Sequence, residues 1–240
     1  MPENIALKKL RTLADFRQVV EIQKAAWDQT DLEIIPEHFM LAARDFAEQW
    51  GAFIEDRMAG FGLVYPTDVP GVHLFHLMGV RPEFRSLGVG GRLFDNFINI
   101  LPEKGGRKLY WTFDPFDLRN SHLYLNKIGG VVTKAVLDYY GPCKNNHGGE
   151  LPTHRFICEL NFKEEDKIKF EESEELLDIP VGESALRDME TDEAAAVLNS
   201  WFAVASARIA AGWLPAGFAP SADRASGSLV LKKRRCSGDV

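Results

Sequence analysis

The sequence predicts an α/β fold in which a mixed sheet is flanked by helices, and two observations lead to this prediction. First, stretches with strand-like alternation and stretches with helical spacing follow one another through residues 3–162 in the order β, α, α, β, β, β, α, β, α, β, β. Second, residues 77–93 have the pattern of a buried strand, a proline-containing turn, a glycine-rich loop and an amphipathic helix. A hydrophobic content of 45% is ordinary for a globular core.

The first seven elements end before residue 105. The periodicity predicts strands at 5–10, 50–55, 58–65 and 72–80, and helices at 13–27, 36–46 and 90–101. Thr12 is a suitable N-cap for the first helix, and Pro36 suits the first position of the second. Asp56-Arg57 is expected to connect the two strands of a hairpin.

The remaining elements of the series follow in the same way. We expect strands at 108–113, 131–140 and 155–162, and a short helix at 120–127. Asp114-Pro115 ends the first of these strands, and Gly129-Gly130 ends the helix. The loop at 141–154 is long and polar, so it either shapes a ligand site or is a plain surface loop.

Three segments are expected along the chain: a domain at 1–162, a charged linker at 163–184, and a C-terminal helix and β-hairpin within 185–240. The linker prediction rests on the charged runs at 163–166 and 171–175. The helix should span 185–211 with Gly212 as its cap, and the hairpin should pair 213–218 with 228–233. We expect this last segment to pack on the first domain, because it is too short to bury its own large side chains.

Composition and charge limit the classes of partner. The formal net charge of −7 gives the chain no basic footprint for nucleic acid, and the basic cluster at 232–235 is expected at a frayed terminus. No apolar run is long enough for a signal or membrane segment, so we expect a cytoplasmic protein without a membrane partner. Cys143, Cys158 and Cys236 cannot form a disulfide framework and fit a reducing compartment.

The glycine-rich loop has the features of a phosphate-binding site. The first amides of a helix are unpaired and lie at the positive end of its dipole, and Arg85 would add charged donors. A Walker loop is disfavoured because its lysine is missing, and a dinucleotide fingerprint is disfavoured because its third glycine is missing where Leu93 stands. An ordinary glycine turn before a core helix is the alternative.

The loop, with Arg85, Gly88 and Gly90 at the spacing Arg-x-x-Gly-x-Gly, resembles the pyrophosphate loop of the GNAT (GCN5-related N-acetyltransferase) superfamily. The preceding Val80-Arg81-Pro82 and the order of elements are also similar to that family. The resemblance implies the GNAT fold, with pantetheine between two splayed strands, and acetyl-CoA as the acyl donor. By resemblance, coenzyme A is expected to contact Met78, Gly79, Val80, Arg85, Ser86, Leu87, Gly88, Val89, Gly90, Gly91 and Asn120.

Shorter stretches resemble an uncharacterised branch of the superfamily known mainly as predicted acetyltransferases. The matching stretches lie at 76–80, 111–115, 126–129, 140–141 and 151–156, together with Asn120. That branch also has a C-terminal helix and hairpin, but it usually carries an acidic residue where His154 stands.

Acyl transfer to an amine needs a base, and two residues are candidates. His76 lies four residues before Val80, so strand alternation would place it on the same face as Met78 and Val80. An imidazole pKa of about 6.5 suits proton removal near neutrality, although a lone histidine on a strand can also be a core residue. Asp114 is the competitor, and a simple turn role is its alternative.

Tyr124 is the candidate acid for protonating the departing thiolate. Many GNAT enzymes carry this tyrosine four residues before the glycine that ends the helix, which is the position of Leu125 here. Tyr124 is rotated by about 100° from that position, so it would serve only if the helix is irregular. Asn120 either caps this helix or contacts coenzyme A.

The sequence also offers Cys143, His147, His154 and Cys158 as a zinc site, but Cys158 has the spacing of a core thiol, and no metal is expected. We therefore expect an acetyl-CoA-dependent N-acyltransferase that transfers an acetyl group directly to a small amine. The alternative is a non-catalytic acyl-CoA-binding or sensing module. A homodimer is left open.

Overall fold

Four antiparallel strands and three helices make up the first part of the chain. The computed structural model describes residues 4–27 and 33–235, and the chain divides into two compact units, residues 1–109 and 110–240. The strands of the first unit are β1 (Ile5–Lys9), β2 (Glu48–Ile54), β3 (Arg57–Pro66) and β4 (Val72–Val80), in that order across the sheet. Its helices are α1 (Leu13–Trp27), α2 (Glu37–Ala43) and α3 (Val89–Glu103).

Local capping explains where the first helices begin. The Thr12 Oγ1 atom accepts a hydrogen bond from the Asp15 amide at 3.1 Å, and the Asp15 carboxylate accepts from the amides of Arg11 and Thr12 at 3.1 and 2.9 Å. This reciprocal capping confirms the predicted start of α1. We predicted Pro36 at the first helical position of α2, but it lies one position earlier as the N-cap residue, because its ψ of 151° is extended.

The two faces of the first sheet are covered by different helices. Buried side chains of α1 and α2 pack with Phe61 and Leu63 on one face, and the second cluster joins Val89 and Leu93 of α3 to small residues of β2 and β3. The predicted hairpin between β2 and β3 is present. Its turn lies at Glu55 and Asp56 instead of Asp56-Arg57, with Glu55 in the left-handed region at φ 54°.

The second unit begins with three neighbouring strands and a short irregular helix. The strands lie in the order β5-β9-β6, with β5 at Lys108–Phe113, across the unit boundary, β9 at Arg155–Asn161 and β6 at Val131–Val136. Between β5 and β6 lie α4 (Leu118–Ser121) and a π-helical segment, His122–Lys127. A two-stranded hairpin, β7 (Cys143–Lys144) and β8 (Glu150–Leu151), lies within the predicted long loop.

The predicted linker at 163–184 is wrong over much of its length. Residues 170–179 form β10 (Phe170–Ile179), which pairs with β12 (Gly227–Arg234), and β12 pairs in turn with β11 (Trp213–Pro220). Two of the glutamates that suggested a linker are paired on the sheet surface, since Glu174 contacts Lys232 and Glu175 contacts Arg208, each at 3.0 Å. The basic cluster is likewise strand, because Lys232 and Lys233 belong to β12. Cys236 lies outside the described residues.

The predicted C-terminal helix is two helices, α5 (Glu183–Asp188) and α6 (Thr191–Ala210). Met189 and Glu190 have extended ψ values of 155° and 142° and separate them. Asp192 and Glu193 in the first turn of α6 favour a new helix start there. Gly212, at φ 83°, follows α6, and the predicted hairpin is present as β11 and β12.

Aromatic side chains form the core of the second unit. Phe116 and Phe156 lie within 5.0–5.8 Å of the Trp201 ring of α6, measured between ring centroids. Asn126 holds β11 through its side-chain amide, which donates to the Phe218 carbonyl at 2.7 Å and accepts from the Phe218 amide at 2.8 Å.

The mixed α/β fold class that the sequence predicted is confirmed. Within the described ranges, none of the helices has the length and apolar character that crossing a membrane requires.

Candidate functional site

The glycine loop of the first unit is shaped by two residues in the left-handed region. A short turn, Pro82–Phe84, leads from β4 into the loop, where Ser86 has φ 64° and Gly88 has φ 85°. Gly88 precedes α3, and its carbonyl accepts the first helical hydrogen bond from the Arg92 amide at 3.0 Å. The amides that precede Arg92 therefore point out of the helix end.

Most of the amides in this loop have no acceptor within residues 4–27 and 33–235. The Arg85 amide donates to the Pro82 carbonyl at 3.2 Å, but none of the amides of residues 86–91 donates to a described residue. A Cβ atom added at Gly88 or Gly91 would meet no described atom within 4 Å, so the loop is uncrowded at these two positions. The loop thus has the donors, the helix dipole and the free approach that an anion site needs.

The side chain of Arg85 is partly engaged elsewhere. Its Nη2 atom donates to the Ala26 carbonyl in the last turn of α1 at 2.8 Å. The expected fork of donors toward a ligand is therefore reduced by one nitrogen. Of the other residues predicted to contact coenzyme A, the Val89 side chain is buried in the core, where Met78 and Val80 pack against it.

His76 occupies a β-bulge, which the sequence did not indicate. Leu63 of β3 pairs with Leu77 and the next residue, Val64, pairs with Phe75, so His76 is the extra residue on β4. The bulge changes the alternation of the strand. Met78 packs toward α3, whereas the His76 ring lies 5.7 Å from Tyr65, which packs on the cluster formed with α1 and α2. The expectation that His76 shares a face with Met78 and Val80 is wrong.

The surroundings of His76 are aromatic. Tyr65 also lies 6.0 Å from the ring of Phe39, which is 54% exposed. His76 keeps an exposed edge, but the protein around its imidazole disfavours the charged form, and this desolvation lowers its pKa. Desolvation also raises the pKa of Tyr65 to about 12, and its hydroxyl has no hydrogen-bond partner among the described residues.

Asp114 lies at the end of β5 and lines a small cavity of the second unit. One carboxylate oxygen accepts a hydrogen bond from the Phe116 amide at 2.9 Å, and the other lies 3.4 Å from Arg155. Burial is the largest influence and raises the pKa of Asp114 to about 6, although the Arg155 charge and the Phe116 amide lower it. The side chain keeps 24% of its surface exposed, so it remains accessible from the cavity.

Residues of the C-terminal elements also line this cavity. Its walls come from Asp114, Cys143, Lys144, Leu151, Pro152, Thr153, His154, Arg155, Glu183, Leu186, Arg187 and Leu198. Arg155, Glu183 and Arg187 were not singled out from the sequence as site residues. The i, i+4 spacing of Glu183 and Arg187 was the available signal, and the two do form an ion pair at 2.7 Å.

The helix that carries Tyr124 is irregular. The Ile128 amide donates to the Leu123 carbonyl, five residues earlier, at 3.0 Å, as in a π-helix. A π-helical turn contains one more residue than an α-helical turn. This is the irregularity under which Tyr124 can take the helix position that Leu125 would have in a regular helix. Tyr124 is 7% exposed, its ring lies 5.3 Å from Trp111 and 5.4 Å from Phe113, and burial raises its pKa.

Asn120 does not cap this helix, because Asp117 does. The Asp117 side chain accepts hydrogen bonds from the amides of Arg119 and Asn120 at 3.1 and 3.2 Å. Asn120 stands inside α4, three residues after the cap, so only its predicted contact with coenzyme A remains.

The suggested zinc ligands do not come together. His154 is buried, accepts a hydrogen bond from the Asp138 amide at Nδ1 and shares one with Asn199 at Nε2, while Cys158 is buried in the core. In residues 4–27 and 33–235, no three His, Cys, Asp or Glu side chains are grouped as a metal site would require.

The comparisons with known proteins agree with this geometry. Residues 13–129 match the model of the Acetyltransferase (GNAT) family. No curated protein matches the sequence significantly. Among solved structures, the ribosomal-protein-S18-alanine N-acetyltransferase from Escherichia coli is 17% identical with a TM-score of 0.55, covering 67% of this chain and 95% of its own.

Two other solved structures have the same fold. A GNAT-family acetyltransferase from Streptococcus pneumoniae is 13% identical with a TM-score of 0.55, covering 67% of this chain and 100% of its own. A GNAT-family acetyltransferase from Elizabethkingia anophelis, solved with acetyl-CoA bound, is 18% identical with a TM-score of 0.50, covering 66% and 99%. The GNAT family model thus covers residues 13–129 of the chain, and these solved structures share its fold.

Proposed function

We propose that this protein is an acetyl-CoA-dependent N-acyltransferase that transfers an acetyl group directly from the thioester to a small amine. The observation that carries the proposal is the row of amides at residues 86–91, which have no acceptor among the described residues and lie at the start of α3, where the loop is uncrowded at Gly88 and Gly91. A diphosphate matches such a row in charge and in hydrogen-bonding capacity.

The residues present fit coenzyme A at this loop. Gly88 adopts a backbone conformation that a larger residue would strain, and the absence of a Cβ leaves the ligand side of the loop clear. The bound thioester would supply an activated carbonyl carbon. The amides of residues 78–80 are proposed to stabilise the charge that develops on its oxygen.

Two side chains of the second unit are proposed to move protons. During transfer, an N–C bond forms and the C–S bond breaks. Asp114 takes the proton that the amine loses, which its pKa of about 6 allows near neutrality. Tyr124 returns a proton to the departing sulfur, and its raised pKa keeps the hydroxyl protonated until then. Asp114 replaces His76 as the first candidate base because it lines a cavity of the second unit, which we propose as the amine site.

Charge at Ser86 tests the anion site directly. Aspartate and asparagine both tolerate the left-handed conformation of this exposed residue, so Ser86→Asp adds a carboxylate among the amides while Ser86→Asn adds the same bulk without charge. We expect Ser86→Asp to raise the Kd for coenzyme A by about tenfold or more, and Ser86→Asn by a much smaller factor. Isothermal titration calorimetry measures both. Equal effects of the two variants would contradict an anion site here.

Turnover separates an enzyme from a sensing module. Thiol release from acetyl-CoA is followed with a panel of small amines, and an enzyme is expected to release thiol in an amine-dependent way. Tight binding of coenzyme A without release under any acceptor would support the non-catalytic acyl-CoA-binding alternative.

A further inference from the structure

The cavity beside Asp114 contains more positive than negative side chains. Lys144, Arg155 and Arg187 line it with two carboxylates, Asp114 and Glu183. Glu183 is engaged by Arg187, whose Nε and Nη2 atoms both donate to one of its oxygens at 3.0 and 2.7 Å. When Asp114 is ionised, one positive charge is left without a counterpart among these five groups.

Arg155 has one edge free of described acceptors. Its contacts with the Asp114 carboxylate at 3.4 Å and with the His154 carbonyl at 2.8 Å are both made through Nη1. The Nε and Nη2 atoms have no hydrogen bond to any described residue. These two parallel donors are the edge that binds a carboxylate in a bidentate manner.

Partial burial of Arg155 strengthens the ion pair that it would form with a ligand carboxylate. The Arg155 side chain is 22% exposed and lies against the ring of Tyr140, with 5.7 Å between the guanidinium carbon and the ring centroid. A carboxylate that binds this edge would meet a partly desolvated cation held in place on three sides. The same cavity contains Asp114, which attracts an ammonium group.

We propose that the acceptor is a small amine that also carries a carboxylate, as an α-amino acid does. Its ammonium group lies at Asp114 and its carboxylate lies on the Nε and Nη2 edge of Arg155. This inference rests on the proposed function, since it names the acceptor class of that reaction. The small size of the cavity favours a compact amino-carboxylate head over a large polycation.

Matched pairs of acceptors test the inference without altering the protein. Phenylalanine and phenethylamine, and leucine and 3-methylbutylamine, differ only by the carboxylate. We expect kcat/KM for thiol release to be about tenfold or more higher for the amino acid of each pair, as the loss of a charge-assisted bidentate contact implies. Equal values, or a preference for the plain amines, would overturn the inference and leave the proposed transferase in place.

Variants of Arg155 locate the contact. Arg155→Lys keeps the charge and loses the fork, so kcat/KM for amino acids should fall about tenfold further than kcat/KM for the plain amines, which removes the preference for the carboxylate. Arg208→Lys is the matched control, because Arg208 pairs with Glu175 and does not line the cavity. An unchanged preference for amino acids in Arg155→Lys, with coenzyme A still bound, would contradict the assignment.

Product binding gives a readout that does not depend on turnover. Calorimetry should detect N-acetylphenylalanine more tightly bound than N-acetylphenethylamine, and Arg155→Lys should remove the difference. Equal binding of the two products by the unaltered protein would contradict the inference. No thiol release with either acceptor class, while coenzyme A binds, overturns the enzymatic proposal and this inference together.

Discussion

The raised pKa of Asp114 makes the stability of the folded state depend on pH. Its folded pKa of about 6 lies above the ordinary value of 3.8, so the folded protein holds this proton more tightly than the unfolded chain does. Between these two values the folded state binds more protons, and stability therefore falls as the pH rises from about 4 through about 6. Above that range the loss is complete.

Asp114→Asn is expected to recover this lost stability. Asparagine keeps an acceptor for the Phe116 amide and removes the buried charge. Urea unfolding should show a gain on the order of 1–3 kcal/mol at about pH 7.5 and little change at about pH 4. A variant that is less stable at the higher pH would mean that the Arg155 contact outweighs the cost of burial.

The pH profile of the reaction distinguishes the two candidate bases. If Asp114 takes the proton, the acidic limb of kcat/KM should rise through about pH 6 and the rate should fall on the order of a hundredfold or more in Asp114→Asn. His76→Gln should keep that limb, because His76 lies on the α1 side of the bulged strand. Loss of the limb in His76→Gln alone would assign the base to the histidine.

At the scale of elements, a cap decides where α4 begins. Asp117→Ala removes the acceptor for two backbone amides and should cost about 1 kcal/mol of unfolding free energy. Asn120→Ala, three residues later, should cost much less, since Asn120 lies within the helix. Chemical denaturation of both variants checks this, and the reverse order would restore Asn120 as the cap.

Regular elements could be predicted because their apolar spacing is set by the element itself. The bounds of α1, β4 and β5 were obtained without error, since the apolar spacing of α1 and β5 follows one period and turn residues follow β4. The bulge at His76 and the π-helical turn at Tyr124 could not be obtained in that way. Each adds one residue to the regular repeat of its strand or helix, and the sequence around it is equally compatible with an unbroken element.

The candidate site was predictable only where a local motif exists. Gly88 and Gly90 mark the loop that we propose as the anion site, and Gly88 there has the left-handed conformation that favours glycine. The cavity at Asp114 joins segments up to 84 residues apart in the sequence, from Asp114 to Leu198, and no local pattern reports that meeting. β10 was not predicted, because the many glutamates in this segment favoured a linker and its few apolar residues gave only a weak strand-like alternation.

At the scale of the whole molecule, the C-terminal elements complete a core that begins near residue 110. Phe116 and Phe156 contact Trp201 and Phe202, and the Trp201 indole donates to the Asp178 carbonyl at 2.6 Å. A chain that ended at residue 162 would expose these rings to water, and each buried aromatic side chain contributes on the order of 1.5–3 kcal/mol.

We therefore expect residues 1–162 alone to unfold at a markedly lower temperature than the full chain and to bind a hydrophobic dye. Differential scanning fluorimetry and dye fluorescence measure both properties. A truncated chain with the full chain's melting temperature and affinity for coenzyme A would show that the C-terminal elements are an independent addition.

β10 is an edge strand of its sheet, and this position affects the tendency of the protein to aggregate. An outer strand presents unpaired backbone groups to which a neighbouring molecule can add its own strand. Here the outer strand carries the exposed side chains of Glu171 and Glu172 and has an irregular register between Phe170 and Glu174, so charge repulsion and a bent strand oppose such growth. The acidic residues that suggested a linker in the sequence thus oppose edge-to-edge polymerisation of the protein.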